Sequence, residues 1–172
     1  MNGEFYSITF RPKKKRRMSW QQRAVESFKF GARETLCVAT QRKGEGTQAL
    51  ALFYREALKR YKKRIKVLCA TEAATQRFFE KELPEQGVPY DFFALLANET
   101  LPVDEAELIL FDGVDGVSAE RVASVAAIVH KTRAALVTTA REYNEETTGD
   151  TADATAPLQR LSRRVFRADD AK

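Results

Sequence analysis

The chain has no uninterrupted apolar stretch near the roughly 18–20 residues needed to cross a bilayer, so no segment reads as a membrane span. Its first ten residues place apolar side chains ahead of the charged cluster, the reverse of a secretory signal, and the expected location is intracellular, cytoplasmic or nuclear. Only two cysteines and one histidine occur in 172 residues. Cys37 and Cys69 lie inside apolar runs and read as small core residues in a reducing compartment. They lack the His and Cys partners that a metal site or a disulfide framework would need, so no metal is expected. His130, at the tail of a helical segment, reads as solvated or capping. No Ser-His-Asp, Cys-His or paired-carboxylate arrangement is present, which removes the common routes to hydrolytic and glycosidic chemistry. One absence is more specific: no Gly-Lys dipeptide occurs anywhere.

What is present is ordinary for a soluble globular protein, with 44% hydrophobic and 31% charged residues. The length suits a single domain with its own core. The net charge of +5 is uneven, because Arg11–Arg17 (R-P-K-K-K-R-R) alone carries six cations. Like charge this dense does not pack, so residues 1–18 read as a basic arm and 19–172 as the folded domain. The arm's cations (Arg11, Lys13, Lys14, Lys15, Arg16 and Arg17) suit a sequence-blind contact with a phosphate backbone, an import signal, or a solubilising tail.

Apolar spacing sets out the rest. Phe5–Phe10 alternates like a short edge strand. Ser19 is a good N-cap for a helix from Trp20 to about Phe30, with Trp20, Ala24 and Phe28 on one face. Trp20 therefore reads as a core anchor. Glu34–Ala39 reads as a buried strand, followed by a Gly-containing loop. The next helix carries the stripe Leu50, Phe53, Tyr54, Ala57, Leu58 and Tyr61, with a basic cluster at Lys59–Arg64 suited to its C-terminus. Strands are expected at Ile65–Ala70, Tyr90–Leu96, Leu108–Asp112 and Ala134–Thr138, and helices at about Glu72–Leu83 and Ser118–Lys131. Residues 141–156, rich in Thr, Asp, Glu and Gly, read as a mobile loop. A short helix at Pro157–Leu161 and an edge strand at Arg163–Phe166 complete the expectation. Strands apolar on both faces alternating with helices imply an α/β fold, a mostly parallel sheet covered on both sides.

The loop after the first buried strand, Ala39–Thr47 (A-T-Q-R-K-G-E-G-T), has the outline of a phosphate-binding loop. Such a loop needs backbone N–H groups to cradle phosphates, a Lys to reach them, and a Ser/Thr hydroxyl for Mg²⁺. Gly44, Gly46 and Thr47 supply glycines and hydroxyl, but Gly46 stands where the Lys belongs. Lys43 lies upstream as a substitute cation, and Glu45 would put a negative charge in the loop, near the phosphates.

In order, Met18–Val25 (M-S-W-Q-Q-R-A-V), Leu36–Leu50, Val67–Leu83, Leu108–Asp115 (L-I-L-F-D-G-V-D) and Ala135–Arg141 (A-L-V-T-T-A-R) resemble the motifs of the first RecA-like lobe of a superfamily 2 (DEAD/DEAH-like) helicase. The resemblance implies a P-loop fold over nearly the full chain. It gives Gln21 the position that reads the adenine edge, the turn after Val67–Cys69 a nucleic-acid backbone contact, and Asp112 the position that holds the Mg²⁺ water shell. The family's next residue is a Glu that polarises the attacking water; here it is Gly113, and Asp115 lies too far along to replace it. A helicase also needs a second lobe, which the resemblance does not find in this chain. Loss of both Lys and Glu implies a pseudo-ATPase, with weak Mg²⁺–ATP binding at most and no other cofactor. The expected role is an accessory or structural subunit in a nucleic-acid complex, with a protein partner such as a true helicase or a nuclease subunit. The alternatives are a divergent ATPase lobe completed by a partner chain, and a decoy that competes with a true helicase.

Overall fold

The computed structural model describes residues 18–61, 64–88, 93–94, 106–141 and 164–168. Residues 1–17 of the basic arm, with the expected strand at Phe5–Phe10, nearly all of the loop at 141–156 and the helix at Pro157–Leu161 lie outside the described residues.

Helix α1 (Trp20–Ser27) opens on a reciprocal capping box: the Gln22 amide donates to Ser19 Oγ while the Ser19 amide donates to the Gln22 side chain. It stops three residues short of the expected Phe30. Phe28 is extended (φ −84°, ψ 130°), so that Phe28 and Phe30 both turn onto Phe53, with centroids 5.6 and 6.3 Å away. Residues two apart point away from each other on a helix, so continuing α1 would have pulled one ring out of the core.

Strand β1 (Thr35–Thr40) leads into α2 (Glu45–Leu58), then β2 (Ile65–Cys69), α3 (Glu72–Glu82), β3 (Phe93–Ala94), β4 (Leu108–Phe111), a 3₁₀ turn at Val114–Gly116, α4 (Ala119–Thr132), β5 (Ala135–Arg141) and β6 (Arg164–Arg167). Thr71 and Ser118 cap α3 and α4 by accepting from Ala74 and Arg121 amides. Pro84 follows directly on the C-cap of α3, Leu83.

The six strands are all parallel and ordered β3-β2-β4-β5-β1-β6. Alternate residues feed two cores. Leu36, Val38, Leu108, Leu110 and Val137 pack with α1, α2 and α3, while Cys37, Ile109, Phe111 and Leu136 pack with α4. Cys37 and Cys69 are both buried and fall in opposite cores. The expected edge strand near Arg163–Phe166 is β6, beside β1. It is held by Arg164, whose Nη1 donates to Ser27 O at 2.9 Å and to Glu34. Trp20, half-buried, stacks on Phe166 at 6.4 Å and thereby ties α1 to this edge. Strand β5 runs three residues beyond the expected Thr138, because its register with β1 continues to Thr40 opposite Arg141.

The topological consequence sets the site. Strand β5 lies between β1 and β4, so the carboxyl ends of these three strands open on one side of the sheet, where open α/β sheets bind ligands.

Candidate functional site

The cleft at those strand ends has a volume of about 230 Å³. The loop after β1 turns at Gly44, whose φ of 86° favours glycine, and enters α2 with no side-chain cap. Glu45 is therefore the first residue of α2, not a loop residue, and it is not among those lining the cleft. Its charge lies at the N-terminus of α2, between the cleft-lining Gly44 and Gly46, and complements the positive end of the helix dipole there.

Asp112 immediately follows β4 and is half-buried. Thr47 Oγ1, in the first turn of α2, donates to Asp112 Oδ2 at 2.9 Å. Thr139 Oγ1, near the end of β5, donates to Asp112 Oδ1 at 2.7 Å. The Gly113 amide in turn donates to Thr139 Oγ1 at 2.8 Å. One carboxylate thus joins the starts and ends of three elements through hydroxyl donors, each bond strengthened by the charge. Gly113 adopts φ 66°, a turn any larger residue would resist.

Lys43, Gly44, Gly46, Thr47 and Asp112 all line this cleft, so five of the six residues singled out as a nucleotide-site relic converge. Gln21, on α1, does not line it. Arg11 to Arg17 lie outside the described residues. Sequence reasoning gave no site role to Arg42 and Arg141, two exposed cations lining the cleft, and it placed Thr139 only within the Ala135–Arg141 motif. The run of two threonines just before the strand's last residues was the available signal. Thr138, one residue earlier, faces the opposite side of the sheet, and its buried hydroxyl has no partner among the described residues.

Measured against a magnesium–nucleotide, the set fits poorly. No lysine stands at the start of α2, although each Asp112 oxygen keeps a lone pair beside the hydroxyl it accepts from. Gly46 is buried, and a Cβ built on it would lie 3.0 Å from Thr139 Cβ. Nearby, burial and the Asp112 charge push the Cys69 thiol up to about 12, leaving it protonated and inert at neutral pH. No cluster of His, Cys, Asp and Glu able to hold a metal occurs among the described residues. A larger groove of about 800 Å³ runs between α1 and α2 over Val25, Phe28 and Leu52, away from the strand ends, and carries no comparable chemistry.

Solved structures place this geometry in a wider class. The Pif1 helicase from Candida albicans superposes with a TM-score of 0.57 at 10% sequence identity, over 88% of this chain and 39% of that one. The fold is that of a RecA-like helicase lobe. The DnaC helicase loader (TM-score 0.48, 12% identity, 86% of this chain and 85% of that one) and Bacteroides sp Pif1 in complex with ADP-AlF4 (0.44, 10%, 81% and 36%) align more loosely. The likeness is to the RecA-like lobe in general and does not single out superfamily 2. The chain spans about two fifths of the length of the Candida Pif1 helicase it matches. Neither a family model nor a curated protein matches the sequence. No helix among the described residues is long and apolar enough to cross a membrane.

Proposed function

We propose that the protein is a catalytically inactive helicase-like lobe that serves as an accessory or structural subunit in a nucleic-acid-associated complex. The observation that carries this reading is the start of α2, where Gly46 offers no cation and packs against Thr139. Gly46 and Gly113 stand where the phosphate-binding Lys and the water-polarising Glu are required, and phosphoryl transfer rests almost wholly on such positioning and charge neutralisation. The RecA-like lobe then acts as a rigid platform for a protein partner, and Arg11–Arg17 supplies phosphate contacts.

A second reading, a divergent ATPase lobe completed by another chain, is favoured by one fact: Lys43, with Arg42 and Arg141, lines the cleft. Calorimetric titration with Mg²⁺–ATP and a phosphate-release assay separate the two. The first reading expects no hydrolysis above background and no loss on Thr47→Ala or Asp112→Ala. Turnover that either substitution abolishes would establish the second. The platform role is tested by fluorescence anisotropy on DNA and RNA at several salt concentrations. If about half of the six arm cations engage phosphates, the log–log salt slope is about −2 to −3. Neutralising Lys13 to Arg17 then weakens binding for all sequences alike. Unchanged affinity would remove nucleic acid from the proposal.

A further inference from the structure

We infer that Gly46 and Thr139 form a close-packed pair that opposes a side chain at position 46, a phosphate-binding lysine included, because Thr139 occupies the space it would need; the inference rests on the inactive reading above. The lost lysine is then not an isolated substitution at the start of α2. It is one half of a close-packed pair whose other half lies on β5.

The geometry is direct. A Cβ on Gly46 would meet Thr139 Cβ at 3.0 Å, Cγ2 at 3.2 Å and Oγ1 at 3.5 Å. Carbon pairs pack at about 3.5–4.0 Å, so a side chain at 46, lysine included, requires Thr139 or the first turn of α2 to give by a few tenths of an ångström. Neither element is free to give. Strand β5 is central, hydrogen-bonded to β1 on one side and β4 on the other. Rotating Thr139 about χ1 does not move its Cβ, and its hydroxyl is fixed by Asp112 and the Gly113 amide. The first turn of α2 is held through Thr47 to the same Asp112. Both surfaces of the contact are thus fastened to a single carboxylate, and the absence of a side chain at 46 lets α2 settle directly on β5. Restoring the lysine alone would break this packing before it could offer a charge to phosphate.

The test is a double-mutant cycle on the full chain, with Gly46→Ala, Thr139→Gly and their combination, followed by Gly46→Lys with and without Thr139→Gly. Thr139→Gly is required because Thr139→Ala would keep the Cβ at 3.0 Å. Thermal unfolding is expected to show Gly46→Ala lowering Tm by roughly 3–10 °C when Thr139 is present, from overpacking, and by less than about 2 °C when it is combined with Thr139→Gly. In calorimetry with Mg²⁺–ATP and Mg²⁺–ADP, Gly46→Lys alone is expected to bind no better than wild type. Gly46→Lys with Thr139→Gly is expected to gain at least roughly tenfold, from an unobstructed lysine. The alanine arm keeps the inference testable if Gly46→Lys does not fold. Equal Tm loss in both backgrounds, a neutral Gly46→Ala, or no nucleotide gain in the lysine double variant would each overturn it. Nucleotide turnover by the wild-type protein would overturn the inactive reading and the nucleotide arm with it, whereas the Tm cycle tests the packing of Gly46 on Thr139 by itself.

Discussion

Replacing Asp112 with alanine asks whether this carboxylate serves the fold or a reaction, because the two roles predict opposite signs. An acid kept for catalysis or metal binding is commonly neutral or costly to stability, and its removal is tolerated or even stabilising. Asp112 instead accepts from Thr47 at 2.9 Å and from Thr139 at 2.7 Å, so its loss leaves two hydroxyls without their acceptor. Hydrogen bonds to a charged group contribute about 1.5–3 kcal/mol each, and the half-buried setting, where water can replace part of the loss, puts the pair nearer the low end. Asp112→Ala should therefore cost about 2–3 kcal/mol, a Tm loss of roughly 4–12 °C for a domain of this size. Asp112→Asn keeps an acceptor oxygen for one threonine and should cost about half as much. Thr47→Ala and Thr139→Ala should each be less damaging than Asp112→Ala, and non-additive with it, because all three share one network. Urea unfolding followed by circular dichroism gives the free energies. An Asp112→Ala variant within about 0.5 kcal/mol of wild type, or more stable, would refute the clasp and return the residue to a ligand-binding role.

Cys69 should make stability fall between pH 9 and 12. Its folded thiol holds its proton up to about 12 against an ordinary value of 9.0, so the contribution is complete below 9.0 and lost as pH rises toward 12. The slope of unfolding free energy over that range should be shallower in Cys69→Ala, and an identical slope would contradict the burial argument. Arg164→Ala should detach β6 from Glu34 and the Ser27 carbonyl at a cost of about 1–2 kcal/mol, read as faster amide exchange in β6 with β4 unaffected. Phe53→Ala, which empties the meeting point of Phe28 and Phe30, should cost about 3–5 kcal/mol in urea unfolding.

The sequence by itself determined the fold class and the order of its elements. Continuous apolar runs such as Leu108–Phe111, separated by amphipathic helices, leave a strand buried on both faces as the consistent solution, and that is a parallel sheet. It also marked Thr47 and Asp112, because a glycine-rich turn and a strand-terminal acid are local patterns. Local pattern failed where a neighbour intervened: α1 ends early because two phenylalanines must reach Phe53, and β5 runs long because β1 keeps pairing with it. What Asp112 does was decided only by the tertiary structure. Its partners lie 65 and 27 residues away in the chain, and they meet because the strand order inserts β5 between β1 and β4. The same order lays Thr139 under Gly46, so a glycine that reads in sequence as a missing lysine is, in space, the point where a helix rests on a strand. Periodicity is set by near neighbours along the chain, whereas a contact across the sheet exists only once the whole core has closed around it.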